Sequence, residues 1–296
     1  MDDVAERHGA DAQEDRGGLL ITVVVVGATG QLGSDLVEAF AAERVHGLGH
    51  EDLDIGDHAA LMAAVLEIAP KAIVNLAAFT RVDDCEIDEA TAFRVNALGP
   101  QSLALAAREV GATLLHVSTD YVFDGEKDAP YDELDEPRPI SVYGRSKLAG
   151  ERLVREALLE HLVVRTGHLF GSGTDHLSRS IERLRRGETA GGLVDRVGTP
   201  TSVTELAARL VPLLLTRRFG TYHLTGPDVA SWFEVLSRAK ELGGLPGEVE
   251  EQHAADLGLP APRPRNAALR SLYAPAIGIE PMPSLDLSLK DHLERR

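Results

Sequence analysis

Leu19-Leu-Ile-Thr-Val-Val-Val-Val26-Gly27-Ala-Thr-Gly30-Gln-Leu-Gly33 is the stretch on which the fold turns. Leu19–Val26 carries no charge and is rich in β-branched valine, the pattern of a strand buried on both faces of a parallel sheet. It is far shorter than the ~18–20 apolar residues a membrane span needs. The glycines that follow have separate uses. Gly27 lets the chain turn sharply, Gly30 lets a pyrophosphate approach the backbone, and Gly33 lets the next helix pack closely on the strand. The free N–H groups of that helix would face the anion. Gly27, Thr29, Gly30, Gln31, Leu32 and Gly33 are therefore expected dinucleotide contacts.

Outward from this strand, apolar runs alternate with helical periodicity. Helices are predicted over Gln31–Ala42, His58–Ile68 (ending before Pro70) and Tyr143–Glu160. Helical pattern over Cys85–Val110 is interrupted near Asn96-Ala-Leu-Gly-Pro100. Further strands are predicted at Arg44–Leu48, Ala72–Leu76, Thr113–Ser118 and Leu162–Arg165. Such alternation implies right-handed βαβ units, so the expected class is α/β, a Rossmann-type doubly wound parallel sheet. After Arg165 the pattern becomes irregular, with a clear amphipathic helix only at Thr204–Leu215 and a short strand at Gly220–Leu224. The last seventy or so residues read as rich in proline and loops. A dinucleotide-binding domain is expected over 18–168, with a return segment at about 192–220. A smaller, discontinuous C-terminal substrate lobe is expected from 169–191 and 221–296. Residues 1–17, acidic and almost without apolar content, read as a disordered extension.

The net charge of −17 excludes a nucleic-acid partner, since no basic stripe offsets it. No run is long enough to enter a membrane, and no basic region precedes an apolar core as in a secretory signal. The single cysteine, Cys85, excludes an internal disulfide and fits a reducing compartment, so a cytoplasmic protein is expected. No histidine spacing suits a metal. His46 and His50 fall in a strand and turn, so no metal is expected.

The second strand ends near Leu48-Gly49-His50. Gly49 falls where a carboxylate would bind the ribose 2′-OH of NAD. Its lack of charge and the neighbouring His50 favour a 2′-phosphate and hence NADPH; Glu51 and Asp52 argue for NADH as the alternative. Asp54 and Ile55 could frame the adenine.

Tyr143 and Lys147 stand four residues apart, on one face of a helix. A phenol held beside an ammonium is expected to be a proton donor with a lowered pKa. Thr119 ends the fourth strand, where ligands of doubly wound sheets sit. Tyr143 would protonate a forming alkoxide, Lys147 would stabilise the phenolate and hold the nicotinamide ribose, and Thr119 would hydrogen-bond the carbonyl oxygen. Carbonyl reduction is the chemistry these three imply.

With these residues in place, the chain resembles the extended short-chain dehydrogenase/reductases, and within them the dTDP-4-dehydrorhamnose reductases. The resemblance covers roughly residues 20 to 270. It rests on the glycine loop, Leu53-Asp-Ile-Gly-Asp57, Asn75-Leu-Ala-Ala-Phe-Thr-Arg-Val-Asp83 and Val95-Asn-Ala97. It continues in Ser118-Thr-Asp-Tyr-Val-Phe123, Tyr143-Gly-Arg-Ser-Lys-Leu-Ala-Gly-Glu151, Gly198-Thr-Pro-Thr201 and Arg263-Pro-Arg-Asn266. It implies NAD(P)H-dependent reduction of the 4-keto group of a dTDP-linked 6-deoxyhexose, with Thr119, Tyr143 and Lys147 as the catalytic trio. Leu76, Ala77, Ala78, Thr80, Asn96, Tyr143 and Lys147 would join the cofactor contacts, and Val82, Asp120, Tyr121 and Phe123 would approach the sugar. Arg263 could bind the substrate diphosphate or stand solvated between prolines. A homodimer is one assembly it allows. Some members bridge a dimer by metal; Asp35 is at one candidate position, the others are unmatched.

One departure stands out. Members that make rhamnose carry a tryptophan after the fifth strand, where this chain has Arg165-Thr-Gly-His168. His168 would sit against the sugar, and either the change is tolerated or the sugar differs, as in antibiotic deoxysugars. Two other readings stay open. A nucleotide-sugar epimerase of the same fold would show no net use of NADPH, and a non-catalytic regulatory subunit would keep the nucleotide fold alone. A 4,6-dehydratase would pair Asp with Glu after the threonine, whereas here Asp120 precedes Tyr121.

Overall fold

The computed structural model describes residues 21–40 and 43–295. The expected acidic extension, 1–17, lies outside them. Six strands form the central sheet. In chain order the first half runs β1 (Thr22–Val26), α1 (Gly33–Ala39), β2 (Arg44–Leu48), α2 (His58–Ile68), β3 (Ala72–Asn75), α3 (Val82–Ile87), α4 (Glu89–Phe93) and α5 (Gly99–Val110). It continues through β4 (Thr113–Thr119), α6 (Val142–Ala157) and β5 (His161–Thr166). The second half adds β6 (Leu169–Phe170), α7 (His176–Arg185), β7 (Ala190–Leu193), β8 (Val197–Gly198), β9 (Thr201–Ser202), α8 (Val203–Thr216) and β10 (Gly220–His223). It closes with β11 (Ala230–Ser231), α9 (Trp232–Gly243), β12 (Val249–Gln252), α10 (Tyr273–Ala276) and α11 (Leu285–Glu294).

The sheet order is β2-β1-β3-β4-β5-β10, every neighbouring pair parallel. The order in which the chain adds strands reverses between β1 and β3, which opens a crevice at their C-terminal ends. The valines of β1 explain why both faces are covered. Val23 and Val25 pack with Leu36 of α1 and Leu206, Leu210 and Leu213 of α8. Val24 and Val26 pack on the other face with Leu61 and Val65 of α2 and Leu103 and Ala107 of α5. Successive side chains point to opposite faces, so an unbroken apolar run is what two-sided burial requires.

Local signals set the helix ends. Asp57 caps α2 by accepting from the Ala59 and Ala60 N–H groups, both at 3.1 Å. Ser141 caps α6 through the Gly144 N–H at 3.1 Å. The expected interruption near Asn96 is a π-helical segment, Arg94–Leu98, that leads into α5 without a gap. A true break occurs earlier, at Asp88, whose side chain caps α4 through the Thr91 N–H.

The last seventy residues are rich in loops, as expected, but also carry two helices that were not expected: α9, held by a capping box between Ser231 and Glu234, and α11. The sixth strand, Gly220–His223, ends one residue short of the expected Gly220–Leu224. A separate apolar core joins Phe170, Leu177, Ile181 and Leu184 to Val235, Leu236 and Ala239 of α9 and Leu285 and Leu289 of α11. Among the described residues, no helix is long and apolar enough to cross a membrane.

Candidate active site

A cleft of about 870 Å³ opens over the C-terminal ends of β1, β3, β4 and β5. At one end is the glycine loop. Gly27 has φ +84°, and a Cβ there would lie 2.7 Å from the Ala77 nitrogen. A Cβ on Gly33 would lie 2.4 Å from the carbonyl oxygens of Gly27 and Ala28. Both positions are closed to any side chain, one by conformation and contact, the other by contact alone. Gly27, Thr29, Gly30, Gln31, Leu32 and Gly33 all line the cleft, as do His50, Asp54, Ile55, Leu76, Ala77, Ala78 and Thr80. Asn75 sets the β3 end of this wall, its Oδ1 accepting the Ala77 N–H at 3.0 Å.

Asn96 is not in the wall. It is fully buried and brackets the loop behind it, accepting from the Phe79 N–H at 2.7 Å and donating to the Phe79 carbonyl and the Ser146 hydroxyl, each at 3.0 Å. The π-helical turn is what aims it there. Asp54 accepts from the Gly56 N–H at 2.8 Å and pairs with Arg94 at 2.9 Å. Those bonds hold its carboxyl below the usual range.

Thr119, Tyr143 and Lys147 all line the cleft, and Thr119 and Lys147 are buried. The Thr119 hydroxyl donates to Asp120 Oδ1 at 2.9 Å and accepts the Tyr121 N–H at 3.2 Å. Lys147 Nζ donates to the Val117 carbonyl at 2.7 Å. The approach of α6 to the strand ends depends on Gly144, where a Cβ would lie 2.1 Å from the Tyr121 carbonyl oxygen. The expected lowered pKa of the phenol is not found. Burial pushes Tyr143 up, against the Thr119 hydroxyl and with the help of the Asp120 charge. The ammonium is committed to a strand carbonyl and does not offset the desolvation. Burial lowers Lys147 to about 8, opposed by Glu151.

Val82, Asp120, Tyr121 and His168 line the opposite end. His168 has φ +50° and its Nδ1 lies 3.2 Å from Asp120 Oδ2. Trp232 covers it, ring centroids 5.4 Å apart, and Gly198 gives it room, since a Cβ there would meet the imidazole at 2.1 Å. Burial, then the Asp120 charge, pushes Tyr121 up to about 12. Phe123 does not reach the sugar end. The 3₁₀ turn Asp120–Val122 rotates it into the core, where it stacks on Tyr131 at 4.3 Å. Arg263 is neither solvated nor in the wall: it forks onto Asp83 at 2.8 and 3.0 Å beside Tyr121. Asp35 accepts from the Thr204 hydroxyl at 2.7 Å. Among the described residues, no cluster of histidine, cysteine and carboxylates could hold a metal.

Arg94 and Thr166 line the cleft without having been picked out from the sequence. Thr166 faces Thr119 across the β4–β5 register, buried, its hydroxyl without a partner among the described residues. Its place at the end of a core strand was the signal for it; Arg94 offered none.

The family described as RmlD substrate binding domain matches residues 21–296. A relative from Streptomyces griseus, dTDP-4-dehydrorhamnose reductase, is 39% identical over 269 residues, 88% of each chain. The dTDP-4-keto-6-deoxy-D-glucose reductase of Streptomyces niveus is 38% identical over 231 residues, covering 76% of this chain and 80% of its own. The solved dTDP-4-dehydrorhamnose reductase of Bacillus anthracis strain Ames, in complex with NADP, superposes with a TM-score of 0.90. It is 32% identical, over 94% of this chain and all of the other.

Proposed function

The chain belongs to the RmlD substrate binding domain family, and from that premise we propose that it reduces the 4-keto group of a dTDP-linked 6-deoxyhexose with NADPH. The observation that carries this is one cleft lined at one end by a glycine loop and along its wall by Thr119, Tyr143 and Lys147. The loop fits a dinucleotide, because Gly27 and Gly33 let it turn tightly against the end of β3 and onto its own carbonyls, where any side chain would clash with backbone. Gly49 carries no carboxylate of its own and His50 could meet a 2′-phosphate, but Asp52 Oδ2 accepts the Gly49 N–H at 2.8 Å and sets a carboxylate at the end of β2. The NADP bound to the solved Bacillus anthracis relative is what favours NADPH over NADH.

The dinucleotide, when bound, supplies the hydride. Tyr143 gives its phenolic proton to the sugar O4. Burial keeps the phenol protonated at neutral pH but makes it a weaker acid, so the proton moves only as negative charge builds on O4. Thr119 donates its one hydroxyl proton to Asp120 at rest and turns it to the same oxygen as charge develops there. Lys147, mostly an ammonium at pH 7, stabilises the phenolate left behind and holds the nicotinamide ribose. Asp120, Tyr121, Val82 and His168 contact the sugar. The His168–Asp120 pair favours a sugar that offers a polar group at that end. The lobe of 169–191 and 224–296 covers the substrate end through Trp232, whose ring lies over His168, and two chains could join as a dimer. A cytoplasmic setting suits the buried, unpaired thiol of Cys85.

The test is NADPH oxidation with dTDP-4-keto-6-deoxyglucose and its epimers. Loss of nicotinamide absorbance with a new 4-hydroxyl supports reduction. A sugar that changes configuration while NADPH persists supports the epimerase instead, and nucleotide binding with no turnover supports the regulatory reading.

A further inference from the structure

Glu151 lies one turn beyond Lys147 on α6, with no exposed surface, and does not line the cleft. Its carboxylate is the meeting point of three elements. Oε1 accepts from the Ser118 hydroxyl at 2.6 Å and from Arg165 Nε at 2.9 Å. Oε2 accepts from Arg165 at 2.8 Å and from Arg155 at 2.7 Å. Ser118 immediately precedes Thr119 on β4, and Arg165 immediately precedes Thr166 on β5. We propose that Glu151 is a positioning residue for the reduction: it clamps α6 to β4 and β5 so that Thr119, Tyr143 and Lys147 share one wall, and its charge retains the Lys147 ammonium. The inference rests on Lys147 belonging to the reducing trio.

The electrostatics run in the same direction as the geometry. Burial pushes the Glu151 carboxyl up, but the Arg165 charge and hydrogen bond, with Arg155 and Ser118, outweigh it and hold the group at about 2. It is therefore an anion at every pH where the protein works. The charged and titratable groups around the pair are Arg155 on α6, Arg165 on β5 and His116 on β4. His223 on β10 reaches Arg165 at 3.5 Å, and its own N–H donates to Glu133. Burial, then the Lys147 charge, lowers His116 and keeps it neutral. Glu151 is thus the anion beside Lys147, facing two guanidinium groups. Without it the burial that lowers Lys147 would go unopposed, and the ammonium would lose its proton at a lower pH.

The experiment is the pH profile of kcat/KM, with NADPH affinity measured over the same range, for the wild type and three variants. Glu151→Gln should move the alkaline limb of both curves down by about one pH unit. Arg155→Gln removes a cation from a partly exposed position and should move the limb up. Ser118→Ala removes one bond but leaves the charge, so it should lower thermal stability without moving the limb. A merely structural carboxylate would give shifts of one sign or none. If Glu151→Gln does not fold, the sign of the Arg155→Gln shift decides. Limbs that coincide in an active series, or a Ser118→Ala shift as large as that of Glu151→Gln, overturn the inference alone. A wild type that oxidises no NADPH overturns the reductase reading, and this inference with it.

Discussion

Tyr143 is held at a pKa above that of a free phenol, and this decides how its loss should read. A group that only donates a proton in the reaction can be removed without disturbing the dinucleotide cradle at the other end of the cleft. Tyr143→Phe should lower kcat by about 10²–10⁴ while NADPH affinity, measured by fluorescence, stays within a factor of about two. A comparable loss of affinity would make the tyrosine structural. The trio was legible in the sequence because each member carries a strand-end or helix-spacing signal. The acidity of the phenol was not, since it depends on where the Lys147 ammonium goes, and that is set by the Val117 carbonyl thirty residues earlier in the chain. Phe123 was misjudged for a related reason: sequence order gives nearness to Thr119 but not the rotation imposed by one 3₁₀ turn.

At the scale of elements, the trio exists because helix α6 can touch what it packs against. A Cβ on Gly150 would lie 2.1 Å from the Asn96 carbonyl oxygen, a backbone atom that cannot move aside. Gly150→Ala should therefore push α6 from the π-helical turn, costing about 1–3 kcal/mol in urea unfolding and lowering kcat as Tyr143 shifts. Unchanged stability would mean that the turn yields. Gly33→Val should abolish NADPH binding in a protein whose far-ultraviolet circular dichroism is retained; measurable affinity would contradict the cradle. The core strands were readable to within a residue or two because an apolar valine run has one stable home in a parallel sheet. Helices α9 and α11 were missed where proline and glycine nearby diluted their periodicity. The Ser231–Glu234 capping box was a written signal for α9.

At the scale of the molecule, charge and burial set how stability follows pH. Burial lowers His116, His161, His176 and His223 below the ordinary 6.5. The unfolded chain then binds more protons than the folded one below about 6.5, so stability falls as the pH falls. Glu151 acts lower down: its contribution is complete above about 4.5 and is lost as pH drops from there towards about 2. The urea midpoint should decline between pH 7.5 and 5.5, before carboxylates titrate; a flat midpoint would contradict the burial of those imidazoles. The −17 charge was visible at once, but which groups lie buried depended on the tertiary fold.

The most direct measurement is transfer of label from NADPH deuterated at the reactive nicotinamide position to a dTDP-4-keto-6-deoxyhexose, with coenzyme oxidation followed in the same tube. One coenzyme oxidised per sugar, with deuterium at sugar C4 and both events slowed by about 10²–10⁴ in Tyr143→Phe, is the expected result. Sugar that is altered without deuterium at C4, or label that stays on the coenzyme with every 4-keto donor, would contradict reduction at this cleft.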